Sequence, residues 1–291
     1  MNGQPAVFML DTGADISAMP YPDAQRLGVK MVASNAFKSE GIGGRVGTGE
    51  AQFNMTLGKI ELPHEAMTVL PMASLDHHAV AVIGRELLAQ HDLELDMPDN
   101  AVRLVKVDGC AASQIAYWNK PYSQVALESD GSSRPAILVN ILLNGHVVPA
   151  LIDSGAPQSI VTPAAARAAG VDLDKAQMSG EVGGIGVHRL PANVVRFDTF
   201  TIGDETIRNA EIVVSDMWKY NKMEETGTRL GSHTHDLAEP RMLLGADFLH
   251  AHRVLVANSL KVMVFSYAGG PIFDSSQPQT PAPGSANAPT R

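Results

Sequence analysis

The sequence predicts an all-β protein of two lobes related by an internal duplication. Three observations carry that prediction. An apolar run ending in Asp-Thr/Ser-Gly-Ala occurs twice, as "AVFMLDTGADISAM" at residues 6–19 and "PALIDSGAPQSIV" at residues 149–161. Setting Asp11 on Asp153 then brings other residues into order: Asn2-Gly3 on Asn144-Gly145, Ser17 on Ser159, Ala24 on Ala166, and Gly28-Val29 on Gly170-Val171. Further on, "LGKIELPHEAMTVL" matches "IGDETIRNAEIVVS" with Gly58 opposite Gly203. "VIGRELLAQHDLEL" matches "LLGADFLHAHRVLV", pairing Gly84 with Gly245 and His91 with His252. Matches kept in order over half a chain mark a duplication. Finally, glycine (26) and proline (18) are frequent and helical periodicity is scarce, while "NVVRFDTFTIG" alternates as a strand with one packed face does.

Each half presents the same elements. An apolar strand ends in the Asp turn, and a short helical piece follows ("PDAQRLGV", "PAAARAAGV"). A glycine-rich hairpin comes next ("EGIGGRVGTGE", "EVGGIGVHRL"), then alternating strands, then two apolar residues, a glycine and a short helix. This divides the chain into an N-terminal lobe at 1–108, a connector at 109–133, a C-terminal lobe at 134–270 and a tail at 271–291. Tyr117, Trp118 and Tyr122 are candidates to anchor the connector on a lobe. Residues 216–241 read as a polar surface loop, and the Pro/Ser/Ala-rich tail has the composition of a disordered segment. The strand "RPAILVNILLNG" before the second Asp turn has no counterpart before Asn2-Gly3. The repeat therefore leads us to expect a further strand upstream of Met1, together with any targeting segment.

Composition narrows the function. An apolar content of 45% and a charged content of 18% are ordinary for a globular protein. A formal charge of −9 leaves no basic stripe to neutralise phosphates, so nucleic acid is not an expected partner. Cys110 is the single cysteine, which rules out an intrachain disulfide, and no apolar run has the length of a membrane-spanning helix. Ten histidines include "HTH" at 233–235, "HAH" at 250–252 and "HH" at 77–78, but no Cys pair or HExxH spacing accompanies them, so no metal is expected. The "GIGG" and "GGIG" runs have no following helix pattern and do not form a dinucleotide fingerprint.

An aspartate at the end of a buried strand is costly unless something uses it. One Asp-x-Gly turn is commonplace; two in register, each followed by glycine-rich and apolar-apolar-Gly signals, are not. The "DTGAD" and "DSGA" turns, the "VGGIG" run at 182–186, and the "VIGRELL" and "LLGADFL" segments resemble the retropepsins of the aspartic protease clan. The resemblance covers roughly residues 2–108 and 134–266 and implies two retropepsin-like β-barrel lobes fused into a bilobal pseudo-dimer. It implies an aspartic endopeptidase without a cofactor, acting on an extended protein or peptide segment. A single-chain monomer is the favoured assembly and a homodimer the alternative. For a bacterial member, the resemblance suggests a periplasmic or envelope location.

Two carboxylates held close share one proton. The ionised partner can take a proton from a water, which attacks an amide carbonyl, while the neutral partner stabilises the developing oxyanion. Asp11 and Asp153 are the candidate catalytic dyad. Thr12 and Ser154 are expected to hydrogen-bond across the lobe junction, and Gly13 and Gly155 to allow close backbone approach. Gly41, Ile42, Gly43 and Gly44 in one half and Val182, Gly183, Gly184, Ile185 and Gly186 in the other are candidate flaps that close over substrate. In retropepsins the acid of "DTGAD" pairs with the arginine after the later glycine, which here implies an Asp15–Arg85 ion pair, with Asp15 also touching substrate backbone. The second half has Pro157 and Ala246 instead. Ala14 and Ala156 stand where pepsin-like enzymes carry a hydroxyl that stabilises the carboxylate, so the dyad is expected to titrate high and to favour weakly acidic to neutral pH. The alternative to an enzyme is a catalytically silent retropepsin-fold module for peptide binding or dimerisation.

Overall fold

The computed structural model describes residues 1–75, 78–107, 109–110, 114–118, 120–129, 136–176, 178–186, 188–220 and 240–273, with side chains at all of these except 30–38, 40, 45 and 64. The "HTH" histidines, most of the expected 216–241 loop and the tail from 274 onward lie outside the described residues. The fold is all-β with a few short helices, and each half builds its own sheet.

The first half supplies β1 (Val7–Leu10), β2 (Ala18–Pro20), β3 (Lys30–Gly41), β4 (Gly44–Leu57), β5 (Ile60–Leu70) and β6 (Ala79–Ile83), in the spatial order β1-β6-β2-β5-β4-β3. Helix α1 (Tyr21–Arg26) follows β2, and the one-turn helix α2 (Arg85–Leu88) follows β6. The chain continues through β7 (Asp92–Asp96), β8 (Ala101–Val105) and β9 (Ser123–Ala126). The second half then supplies β10 (Leu138–Leu143), β11 (His146–Ile152), β12 (Ile160–Val161), β13 (Met178–Val182), β14 (Leu190–Ile202), β15 (Glu205–Val214) and β16 (Met242–Leu244), ordered β10-β11-β16-β12-β15-β14-β13. Helix α3 (Pro163–Ala168) follows β12 and α4 (Ala246–Leu249) follows β16; β17 (His252–Ala257) and β18 (Val262–Tyr267) close the fold.

Local chemistry explains why the halves match. The α1 and α3 helices both end in a glycine at positive φ, Gly28 and Gly170. The Gly28 N–H donates to the Gln25 carbonyl and the Val29 N–H to that of Ala24; Gly170 and Val171 repeat the pair with Arg167 and Ala166. This double bond is the Schellman C-cap, which requires a residue tolerant of the left-handed region followed by an apolar one. The "LGV" and "AGV" sequences encode it. The β4–β5 and β14–β15 hairpins likewise turn at Gly58 and Gly203.

A third sheet joins the halves, in the order β8-β7-β17-β18-β9. Strand β7 of the first half pairs antiparallel with β17 of the second, Val254 opposite Leu95. Leu93 and Leu95 are buried in the same core as Phe197, Phe200, Phe248 and Phe265. Two segments set outside the lobes in the sequence carry contacts of their own. The 109–133 segment is more than a connector, because its Ser123–Ala126 stretch is an edge strand paired with β18, and the Trp118 indole N–H donates to the Ser266 hydroxyl at 2.7 Å. Of the stretch assigned to the tail, residues 271–273 are described. Phe273 is only 4% exposed and packs edge-on to Phe200, because an aromatic side chain next to an apolar core gains more from burial than the surrounding Pro/Ser composition suggests.

Candidate active site

The strands β1 and β11 carry the two aspartates to one place. The Asp11 N–H donates to the Ile83 carbonyl and the Asp153 N–H to that of Leu244, both at 3.0 Å, so each turn leaves its strand beside the parallel neighbour β6 or β16. The turns then grip each other. The Thr12 N–H donates to the Ser154 hydroxyl (3.1 Å) and the Ser154 N–H to the Thr12 hydroxyl (3.0 Å). The Thr12 hydroxyl donates on to the Ile152 carbonyl and the Ser154 hydroxyl to the Leu10 carbonyl, each at 2.7 Å. Thr12 is fully buried. Every polar atom of the two hydroxyls is therefore used across the lobe junction, which fixes the turns relative to one another.

The glycines are set by space. A Cβ on Gly13 would lie 2.5 Å from the Asp153 carboxyl carbon, and one on Gly155 would lie 2.3 Å from that of Asp11. Each carboxyl thus rests on the other half's glycine. The Gly13 and Ala14 N–H groups donate to Asp11 Oδ1 at 2.8 and 3.0 Å, and those of Gly155 and Ala156 to Asp153 Oδ1 at 3.0 and 3.1 Å. Burial pushes both carboxyls up from the ordinary 3.8. Asp153, which also faces the Asp11 charge and donates its hydrogen bond to it, is pushed up to about 8. Asp11 is raised by burial, but the Ala14 and Gly13 N–H groups, the bond from Asp153 and the Arg85 cation all act to lower it. Both carboxyls are thus raised, and the groups around Asp11 favour its charged form more than those around Asp153 do.

Asp15 and Arg85 form an ion pair, Asp15 largely exposed and Arg85 buried. Below the turns lies a pair of acids that the sequence reading did not single out. The Ser17 N–H donates to Glu86 Oε1 (2.8 Å), and Ser159 donates to Asp247 through its N–H (2.9 Å) and its hydroxyl (2.6 Å). The two serine hydroxyls in turn accept from the Gly84 and Gly245 N–H groups, both at 2.9 Å. Burial raises the Asp247 carboxyl above its ordinary value. The signal was present in the sequence: an acid stands two residues after the later glycine in both halves, and the serines already matched.

The candidate flaps meet. Gly43 pairs with Gly186 in an isolated parallel bridge; the Gly43 N–H donates to the Ile185 carbonyl (2.8 Å) and the His188 N–H to the Gly43 carbonyl (3.2 Å). Gly41 lies against Ile185 and Gly184 against Ile42. Ile42 and Val182 pack on one apolar cluster with Leu151 and Leu243. Gly183 lies beside Arg189, and Gly44 adopts positive φ at the start of β4. His252 is buried, stacked on Phe248 and bonded to the Phe248 carbonyl and to Glu205. Among the described residues no group of three or more His, Cys, Asp or Glu is placed to hold a metal, and no helix is long and apolar enough to cross a membrane.

With this geometry in hand, the chain can be set beside known proteins. The aspartyl protease family pattern matches it twice, over residues 1–87 and 139–248, and the chain belongs to that family. No curated protein matches it. Among solved structures, it is similar to a retropepsin-like aspartic protease from Rickettsia conorii, at 16% identity and a TM-score of 0.32, covering 52% of this chain and 95% of that one. It is also similar to the EIAV protease complexed with the inhibitor HBY-793, at 17% identity and a TM-score of 0.28, covering 40% and 86%.

Proposed function

We propose that the protein is an aspartic endopeptidase that hydrolyses a peptide bond in an extended protein segment held between the flaps and the two aspartates. The observation that carries this reading is the reciprocal seating of the turns, each carboxyl on the other half's glycine and each hydroxyl bonded across the junction. It makes one site out of two halves. A water between the carboxyls loses a proton to ionised Asp11 and attacks the amide carbonyl. The neutral Asp153 carboxyl donates to the carbonyl oxygen as charge develops on it. The proton taken by Asp11 then passes to the leaving nitrogen as the C–N bond breaks, and Asp153 takes a proton back from a hydroxyl of the tetrahedral intermediate as the carbonyl re-forms, so that the pair again holds one proton. Asp15 and the flap backbone N–H and C=O groups pair with the substrate main chain as an added strand would.

The test is cleavage of a diverse peptide library between pH 4 and 8 by the purified chain and by Asp11→Asn and Asp153→Asn. Both variants keep the shape of the carboxyl and are expected to fold, by circular dichroism, and to lose cleavage by at least about a thousandfold, as loss of an acid–base group does. Cleavage retained in either folded variant would refute the dyad. Binding of a peptide without hydrolysis by the wild type would favour the silent module instead.

A further inference from the structure

Each half carries a methionine at the same point beyond the strand that flanks its aspartate turn. Ala18 pairs with Thr68 and Ile160 with Val213, so Met72 of the first half falls on Met217 of the second. The Met72 N–H donates to the Leu70 carbonyl (2.9 Å) and the Met217 N–H to the Ser215 carbonyl (3.0 Å), one local conformation built twice. Their surroundings differ.

On β11, Ala150 and Ile152 enter the second-lobe core while Leu151 faces the other way, on the side that Asp153 takes two residues later. The same division recurs around it. Leu243 parts from Met242 and Leu244, Ile160 from Val161, and Val213 from Ile212 and Val214. These four residues form an apolar floor beside Asp153. Met217, 0% exposed, packs on that floor, and Ile42 and Val182 reach it from the two flaps. Trp218 helps hold the segment in place, its indole N–H donating to the Pro240 carbonyl (2.9 Å). In the first lobe the equivalent floor is Met9, Ala18, Thr68 and Val82, smaller or more polar at three of four places. Met9, Val82 and Met72 are only half-buried, and Ala73 stands where Trp218 stands.

We infer that Met217 is a specificity-determining residue. It fills the recess beside Asp153 between floor and flaps, so the substrate side chain on that side of the scissile bond must be small. The matching recess under Met72 is open and takes a large apolar side chain. A cleft that is symmetric by descent thereby becomes directional. The inference rests on the proteolytic reading above.

The experiment is a peptide library randomised at the two positions flanking the scissile bond, read as kcat/KM for each side chain with wild type, Met217→Ala and Met217→Phe. Wild type is expected to prefer Gly, Ala or Ser at one of the two positions. Met217→Ala should raise the Leu-to-Ala and Phe-to-Ala ratios there by about tenfold or more, the scale set by one or two methylenes in an apolar pocket. Met217→Phe should narrow the preference towards Gly, and the other position should keep its profile. If Met217→Ala does not fold, Met217→Val must move the ratio in the same direction by less. Retained cleavage with an unchanged profile overturns this inference and leaves the proteolytic reading standing. No cleavage by folded wild type removes both.

Discussion

At the scale of residues, the two aspartates are chemically unequal although their turns are near copies. Arg85 stands close enough to favour the Asp11 charge, and its counterpart in the second half is Ala246. These surroundings favour the shared proton on Asp153, whose carboxyl is pushed up to about 8 chiefly by burial. Two pH effects should result. Cleavage needs one proton on the pair, so the rate should fall on the alkaline side near pH 8 and on the acid side where Asp11 takes a second proton. A profile peaking well below pH 4 would contradict this. Stability has the opposite sign from the usual carboxylate. Asp153 is neutral in the fold up to about pH 8 but ionises near 3.8 once unfolded, so its contribution is complete below 3.8 and is lost as pH rises through about 8. Asp153→Asn cannot ionise, and its Tm should exceed that of wild type by a margin that grows from pH 4 to pH 9. A margin independent of pH would show that burial does not set this proton. The aspartates were legible because their sequence context repeats. Glu86 and Asp247 also repeat at one offset from the later glycine, but their role is set only when Ser17 and Ser159 fold back onto them.

At the scale of elements, the tips of the two candidate flaps are held by a contact that only glycine permits. Gly186 sits at φ +112°, and a Cβ there would lie 2.0 Å from the Gly43 carbonyl carbon. Both the backbone conformation and the close approach exclude a larger residue. Gly186→Ala must part the tips at a strain of roughly 1–3 kcal/mol, while the cores that hold each lobe together are untouched. The expected result is a fall in kcat/KM of about tenfold to a hundredfold with Tm lowered by no more than several degrees; unchanged kinetics would mean that the tips do not have to meet. The helices, hairpin turns and strand ends could be read in the sequence because each is set by a few neighbouring residues, as with the "LGV" and "AGV" caps. The meeting of the flaps, the β9 strand and the burial of Phe273 depend on partners tens or hundreds of residues away. No local pattern specifies those pairings.

At the scale of the whole molecule, the question is whether two lobes mean two folding units. The duplication suggests that they do, but the third sheet argues otherwise. Strand β7 leaves the first lobe to pair with β17, and Leu93 and Leu95 lie in the core built by the second-half phenylalanines. Glu94, fully buried on the same strand, is bound by Arg253 of the second half and by Arg103 and Tyr117. Removing the second half would leave that carboxylate without its cross-half partner, and removing either half would open the core, each costing several kcal/mol. The lobe junction adds the Thr12 and Ser154 bonds, which exist only when both halves are folded. The lobes should therefore unfold together, in one calorimetric transition whose van't Hoff and calorimetric enthalpies agree. Leu95→Ala, which opens a cavity in the second-lobe core from a first-half strand, should cost about 2–5 kcal/mol and move that single transition down as a whole. Two resolved transitions, with Leu95→Ala shifting only one, would show instead that the halves kept the independence of their ancestors, and that the site between them assembles after folding is complete.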